Sequence, residues 1–270
     1  KDGIFSLTEK GKQRAAVFSG EYQRSQYNRF MQRLLQSRAY LDFCEELYGH
    51  RWCLLNSLWK EQYLYLFNNL EISPGDTVLD IGCGTGAIIN AIAEKYSCRG
   101  IGLDLAGDLL SIIAKRYPHL IFHEMEIDNI RNSSLNPDII ISLDSLYYCR
   151  DLTSVIAALK SKCRKRIYMF YSQTVNDENG DRSVLHIDRS DLARALQAND
   201  LKYAAIDYSD DEWNLWKHED TILSKHKAAF EKEENLKIWE GRVADTANML
   251  KEFEDDRAKR FLYSVEIPPK

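Results

Sequence analysis

A glycine-rich turn between an apolar strand and a helix constrains the fold of this chain more than any other sequence feature. Residues 78–86 read VLDIGCGTG, which predicts a buried strand followed by a turn with glycines at alternate positions. Helix-forming residues follow directly, over residues 87–94. The turn is therefore predicted at the carboxyl end of a strand, where open α/β sheets bind their ligands. Because Gly82, Gly84 and Gly86 carry no Cβ, the backbone can approach a ligand closely.

A second apolar segment, at residues 100–104, ends in Asp104, 18 positions beyond Gly86. A carboxylate at the tip of the neighbouring strand can accept hydrogen bonds from both hydroxyls of an adenosine ribose. The ribose of a nicotinamide dinucleotide would need the same carboxylate, so only the glycine-rich loop can distinguish the two cofactors. Dinucleotide loops follow G-x-G-x-x-G, whereas this loop is G-x-G-x-G and is preceded by Asp80. A carboxylate there would repel a pyrophosphate but suits a ligand with an ammonium group.

The run at residues 78–86 resembles the first motif of class I S-adenosylmethionine-dependent methyltransferases. The resemblance implies S-adenosylmethionine as cofactor, with Asp104 on the ribose and Leu105 against the adenine face. After a third strand, within residues 120–128, the family has an acid that contacts adenine, and Glu126 aligns with it, next to Ile127. Glu124 or Asp128 would take this role if the register differs by two. The methionine part would be held by Asp80 and by the loop residues Gly82, Cys83, Gly84 and Gly86.

A continuously apolar run within residues 137–148 predicts a central strand that is buried on both faces. Its polar and aromatic end resembles the fourth motif of methyltransferases that act on small molecules, which implies that Leu143 and Asp144 lie near the sulfonium. The Asn/Asp-Pro-Pro-aromatic signature of enzymes that methylate nucleobase amines is absent from this run. A general base is required only if the methyl acceptor is protonated. The candidates are Tyr148, Tyr171 and His186, and the alternative role for the tyrosines is to line an aromatic pocket.

The expected fold is an α/β, doubly wound, mostly parallel seven-stranded Rossmann-like sheet with an antiparallel last strand. Residues 166–171 and 202–208 predict the fifth and sixth strands. Residues 260–267 predict the seventh, and their period-two alternation suits an antiparallel margin of the sheet. The methyltransferase family would show the antiparallel insertion of a seventh strand, whereas a dinucleotide-binding fold would continue in parallel.

Four segments are predicted along the chain: an amino-terminal helical cap (1–70), the cofactor-binding core (71–210), a helical insertion (211–257) and the last core strand (258–270). Apolar residues recur at helical spacing from Tyr27 to Leu35 and from Leu55 to Leu66. We interpret the cap and the insertion as a lid over the substrate. The alternative is that they pack on the core or form a dimer interface, with Trp213 and Trp216 as anchors. Tyr22 and Tyr27 are candidates for a cation–π contact with the sulfonium.

Composition limits the partners. The formal net charge is −5, and no long basic run is present, so nucleic-acid binding is not expected. The six cysteines show no metal-site spacing, which predicts free thiols and no metal. No apolar run of about 18 residues and no secretory leader is evident, so we expect a cytoplasmic protein, monomeric or homodimeric, with no membrane contact.

The predicted function is methyl transfer from S-adenosylmethionine to a small-molecule acceptor. The alternatives are an NAD(P)-dependent oxidoreductase and a non-catalytic scaffold that binds the cofactor and serves a protein partner. RNA methylation is a weaker variant of the main hypothesis.

Overall fold

A seven-stranded mixed sheet with helices on both faces forms the framework of the protein. The computed structural model describes residues 21–55, 58–175 and 180–268, with side chains from residue 24 onward. The strands are β1 (Thr77–Ile81), β2 (Arg99–Asp104), β3 (Ile121–Glu124), β4 (Ile139–Leu143), β5 (Arg166–Thr174), β6 (Tyr203–Asp207) and β7 (Ala258–Glu266).

The helices precede the sheet, alternate with its strands, and form a pair between β6 and β7. The three that precede the sheet are α1 (Glu21–Gln36), α2 (Arg38–Tyr48) and α3 (Lys60–Asn69). Those within and after it are α4 (Ala87–Tyr96), α5 (Gly107–Arg116), α6 (Leu152–Lys162), α7 (Asp191–Ala198), α8 (Ser209–Lys232) and α9 (Leu236–Glu254).

The strand order β3-β2-β1-β4-β5-β7-β6 confirms the predicted fold class. The first five strands pair in parallel, and β7 is antiparallel to both β5 and β6. This arrangement disagrees with the all-parallel sheet of the oxidoreductase alternative. The antiparallel insertion of a seventh strand is confirmed, because β7 lies between β5 and β6. The period-two alternation indicated a sheet margin, but β6 forms the edge, and β7 is buried along most of its length.

The register of the parallel strands determines where the site lies. Ile81 at the end of β1 is level with Leu103 of β2 and with Ser142 of β4. The carboxyl ends of these three central strands therefore meet at one edge of the sheet. Residues that follow them in sequence are brought together there, as expected for open α/β sheets.

The segment before α3 differs from its predicted helix. Leu55 lies in irregular backbone, and Leu58 also precedes α3, which begins at Lys60. Just before this segment, two backbone carbonyls accept hydrogen bonds from side chains elsewhere in the chain. The carbonyl of Cys53 accepts a hydrogen bond from Thr85 Oγ1 at 3.0 Å, and that of Leu54 accepts from the Tyr40 hydroxyl at 2.5 Å.

The insertion between β6 and β7 is a helical hairpin that packs against the amino-terminal helices. Trp239 Nε1 donates to the Leu223 carbonyl and Thr246 Oγ1 donates to Glu219, so α8 and α9 run antiparallel. Glu233, at the end of α8, accepts hydrogen bonds from Ser37 Oγ at 2.8 Å and from the Ala39 amide at 3.0 Å. The two helical segments thus form one layer. Among the described residues, no helix is both long and apolar enough to cross a membrane.

Candidate cofactor-binding site

A cavity at the carboxyl ends of β1, β2 and β4 brings together almost all of the predicted cofactor-binding residues. Gly86 is the exception: it caps α4 with φ +71°, and an added Cβ would lie 3.1 Å from the Phe122 ring. The predicted residues that do line the cavity are Asp80, Gly82, Cys83, Gly84, Asp104, Leu105, Glu126, Ile127, Leu143 and Asp144.

The glycine-rich loop is fixed to the second strand by its backbone. The amides of Gly82 and Cys83 both donate to the Leu103 carbonyl, at 2.7 and 3.0 Å. Gly82 has φ +76°, and a Cβ there would lie 2.4 Å from the Cβ of Ser145. Only glycine fits this position without displacing the turn after β4. The loop therefore faces the cavity with backbone and little side chain.

Asp80 is a buried acid, with 2% of its surface exposed. Burial, and then the nearby charge of Asp104, raise the pKa of Asp80 from 3.8 to about 8. A carboxyl in this environment is neutral near pH 7 in the free protein. A cationic ligand group beside it would favour the ionised form. Asp80 is therefore suited to bind an ammonium group.

Asp104, at the tip of β2, is held by backbone amides. Its carboxylate oxygens accept from the Gly84 amide at 2.8 Å and from the Ala106 amide at 3.0 Å. Burial raises the pKa of Asp104, and these hydrogen bonds partly oppose that rise. A carboxylate has about four acceptor positions. Asp104 can thus accept from the hydroxyls of a ligand while its amide bonds remain.

The acid predicted to face adenine is held by two arginines that sequence reasoning missed. Glu126 forms ion pairs with Arg24 of α1 and with Arg150, whose Nη2 lies 2.6 Å from Glu126 Oε2. Of the two alternative acids, Asp128 lines the cavity and Glu124 does not. Arg150 also bonds to Asp128, through its backbone amide at 2.9 Å. No local motif signals these arginines, because they come from distant parts of the chain.

The cavity is covered by the amino-terminal segment. Tyr27 and Met31 of α1 line it, together with residues 53–55. Asn28 fixes α1 in place, since its Oδ1 accepts from the Leu109 amide of α5 at 3.2 Å. Burial, and then the charge of Asp104, raise the pKa of the Tyr27 hydroxyl well above its usual value. The side chain of Tyr22, the other predicted aromatic, lies outside the described part.

The insertion contributes no residue to the described lining of the cavity. Trp216 is buried, and its Nε1 donates to Glu212 at 3.1 Å. The ring of Trp213 lies 4.5 Å from Lys217 Nζ. The interpretation of the insertion as part of a lid thus finds no support in the described lining. Trp216 packs with Met249 and Ala258, as the alternative role of a packing anchor requires, whereas Trp213 is half-buried.

Of the three candidate bases, the structure brings one to the cavity. Tyr148 lines it, in the turn after β4. Tyr171 is buried beside Tyr147, with ring centroids 5.8 Å apart, but is not among the lining residues. The side chain of His186 is 62% exposed, outside the lining, and its Nδ1 accepts from the Asp188 amide at 3.2 Å.

The wall formed by the turn after β4 contains a buried ion pair that the sequence did not reveal. Asp144 lines the cavity, and both of its carboxylate oxygens accept from the guanidinium of Arg260 in β7, at 2.6 and 2.8 Å. Arg260 Nε also lies 3.5 Å from Glu212 at the start of α8. The available signal was an arginine that directly precedes the apolar run at residues 261–263.

Comparison with known proteins identifies the family. A family model described as a methyltransferase domain matches residues 52–222. The chain belongs to the methyltransferase-domain family. This confirms the resemblance of the glycine-rich loop to methyltransferases and places the chain in a family of enzymes.

Curated relatives match only part of the chain. "Putative methyltransferase 235L" of Invertebrate iridescent virus 6 is 35% identical over 85 residues, which cover 30% of this chain and 32% of the viral protein. An H3 lysine-79-specific histone-lysine N-methyltransferase of Dictyostelium discoideum is 33% identical over 75 residues, which cover 28% of this chain and 4% of that protein. The matches thus span about a third or less of either relative.

A solved structure agrees over more of the fold. Phosphoethanolamine N-methyltransferase 2 of Haemonchus contortus, in complex with phosphomonomethylethanolamine and S-adenosylhomocysteine, superposes with a TM-score of 0.68. The sequences are 12% identical, and the match covers 89% of this chain and 60% of the other. At this identity the likeness concerns the fold.

Proposed function

We propose that the chain transfers a methyl group from S-adenosylmethionine to a small-molecule acceptor. The observation that carries the proposal is the convergence of Asp80, Asp104 and Glu126 with a backbone-lined glycine loop in one cavity. Membership of the methyltransferase-domain family supports the same reaction class. The solved relative in complex with S-adenosylhomocysteine supports the choice of cofactor.

The donor set fits this cofactor better than a dinucleotide. The buried carboxyl of Asp80 suits the ammonium of the methionine part, and Asp104 suits the ribose hydroxyls. Glu126 and Asp128, which are paired with Arg24 and Arg150, lie at the end of the cavity where adenine would lie. A pyrophosphate next to the loop would meet unfavourable electrostatics from Asp80 and Asp104. The antiparallel β7 also distinguishes the fold from a parallel dinucleotide-binding sheet.

The bound cofactor supplies a methyl group on a sulfonium, which is already an activated electrophile. The chain has to hold the acceptor in line with that methyl and exclude water. Leu143 and Asp144 form the wall that would face the sulfonium, and Tyr147 and Tyr148 continue it. Tyr148 is the candidate to take a proton if the acceptor carries one. Tyr27 and Met31 would exclude water from above.

The remaining lining favours a small acceptor with an apolar or cationic part. Leu54, Leu55, Tyr147 and Tyr148 supply apolar surface to the cavity that Asp144 also lines. The small-molecule complex of the Haemonchus contortus enzyme supports this class by analogy of fold.

All six cysteines are free, which supports a reducing compartment such as the cytoplasm.

Calorimetric titration tests the proposal. The purified chain is titrated with S-adenosylmethionine and S-adenosylhomocysteine, and with NADH and NADPH as controls. We expect saturable binding of the two sulfur compounds alone, followed by methylated products in a mass-spectrometric screen of small amines, phenols and carboxylates. Binding of a dinucleotide alone would overturn the proposal. Binding of the sulfur compounds without any methylated product, in that screen or with protein and RNA acceptors, would favour the scaffold alternative.

A further inference from the structure

Arg260 is a fully buried cation at the point where four elements of the fold meet. None of its surface is exposed, and β7 carries it behind the cavity wall. Besides its two bonds to Asp144, its Nη1 donates to Ser172 Oγ of β5 at 2.9 Å. Glu212 of α8 accepts from Ser172 Oγ at 3.3 Å and so completes the cluster. We call Asp144, Ser172, Glu212 and Arg260 the wall cluster.

The wall cluster holds the turn after β4 in an unusual conformation. Asp144 has φ +58°, in the left-handed region that non-glycine residues seldom adopt. The next residue is tied to β1, because Ser145 Oγ donates to the Ile81 carbonyl at 2.6 Å. The turn is thus fixed at two successive residues, on one side by β1 and on the other by Arg260. Tyr147 and Tyr148 follow in a short 3₁₀ turn, Leu146–Tyr148.

We infer that Arg260 is a positioning residue that holds the Asp144 carboxylate in the cavity wall and sets the charge which that wall presents to the sulfonium. The inference rests on the proposed function, which places the sulfonium at this wall. Arg260 itself does not line the cavity and acts through Asp144. A purely structural role would stabilise the fold without affecting which form of the cofactor binds better.

The charge of the wall cluster makes the two roles separable. Asp144 and Glu212 carry two formal negative charges against one positive charge on Arg260. Removing the guanidinium leaves the two acids without their shared cation. S-adenosylmethionine carries a positive sulfur that S-adenosylhomocysteine lacks, and the two molecules otherwise differ by one methyl group. The ratio of their dissociation constants therefore measures the charge at the wall.

The experiment compares this ratio in the wild-type chain and in three variants by calorimetry. Arg260→Met should raise the preference for S-adenosylmethionine over S-adenosylhomocysteine by at least about three-fold, since the wall becomes more negative. Asp144→Asn should lower it by a similar factor. The double variant should match Asp144→Asn within about two-fold, because Glu212, the carboxylate that Arg260 keeps, does not line the cavity.

Two further variants separate positioning from stability. Arg242→Met is a matched control, because Arg242 is equally buried in an ion pair with Glu219 between α8 and α9, away from the cavity lining. It should lower the melting temperature while leaving the ratio within about two-fold of wild type. Arg260→Lys keeps the charge and should restore the wild-type ratio to the same limit.

An unchanged ratio in folded Arg260→Met would overturn the inference, and so would an equal change in Arg242→Met. If Arg260→Met does not fold, Asp144→Asn and the double variant carry the test, and a difference between them above about two-fold would also overturn it. Failure of the wild-type chain to bind either sulfur compound would instead count against the proposed function.

Discussion

Asp104 and Asp144 both follow central strands and line the same cavity, but the protein holds them in different ways. Asp104 accepts hydrogen bonds from the backbone amides of Gly84 and Ala106, in the loops beside it. Asp144 is bound by a guanidinium that comes from a strand 116 residues later. The first carboxylate keeps acceptor capacity for a ligand. The second has its charge balanced within the protein.

The difference indicates what each half of the cavity does. In the half formed by β1 and β2, buried acids have raised pKa values, and a ligand with hydroxyls and an ammonium would complete their environment. In the half formed by the end of β4 and the turn after it, the chain itself completes the environment of Asp144, through Arg260 of β7. We propose that the cofactor half is specialised for binding, and that the other half holds a fixed wall beside the transferred group.

The largest expected effect tests the self-contained half. Arg260→Met should lower the free energy of unfolding by about 3–5 kcal/mol, because it leaves buried carboxylates without their cation. Urea denaturation measures this change. Arg166→Met is the control: its partly exposed guanidinium pairs with Glu71 and Glu266, so the loss should stay below about 1 kcal/mol. Equal losses in the two variants would contradict the comparison.

Asp80→Asn tests the binding half through its pH dependence. The pKa of Asp80 is about 8 in the folded protein, against 3.8 in the unfolded chain. Between these two pH values the folded protein therefore binds one proton more than the unfolded chain. Stability should therefore fall as pH rises through this window. The amide variant, which cannot ionise, should be more stable than wild type by about 2–5 kcal/mol above pH 8 and equal to it near pH 4. The melting temperatures of both proteins are measured across this pH range. A difference between the variant and wild type that is the same at every pH would contradict the prediction.

Asp104→Ala should weaken binding of S-adenosylmethionine by about 1.5–3 kcal/mol, the value of hydrogen bonds to a charged group. Calorimetry provides the affinities. Asp138→Ala is the control, because Asp138 accepts from the Thr77 amide at 2.9 Å and pairs with Arg164 at the opposite edge of the sheet. It should reduce stability and leave cofactor affinity unchanged. Unchanged affinity in Asp104→Ala would remove the ribose assignment.

The smallest expected effect concerns the cover of the binding half. Arg24→Gln removes the ion pair between α1 and Glu126, whose two side chains are 35% and 19% exposed. Because exposed pairs contribute about 0.2–1 kcal/mol, dissociation of S-adenosylhomocysteine should speed up by at most about five-fold. Stopped-flow displacement measures the rate. The difference from wild type should disappear in 1 M salt, and a difference that survives would indicate that Arg24 acts by packing.

Much of the binding half could be predicted because its signals are local. The loop at residues 82–86 follows its strand directly, and Asp104 ends the next strand, so strand order alone brings them together. Glu126 came from the resemblance to the methyltransferase family, by alignment with the acid that follows the third strand. The side chains that hold it, Arg24 and Arg150, carry no motif and were missed.

The other half resisted prediction because its contacts join segments that are distant in the chain. The period-two pattern of residues 260–267 placed β7 at the sheet margin, whereas pairing with both β5 and β6 buries it. Arg260 faces Asp144 because β7 is inserted between β5 and β6. His186 was grouped with the site by its position after β5, yet the loop leaves its side chain largely exposed.

The sequence by itself determined the class of the sheet, the position of the glycine-rich loop and the acids at the ends of β1 and β2. Local patterns specify these features, since apolar periodicity and glycine conformations act within a few residues. Tertiary structure decided which helices cover the cavity and which cation balances Asp144. These outcomes depend on packing between segments more than 100 residues apart, where burial makes an unpaired charge costly and so selects the partner.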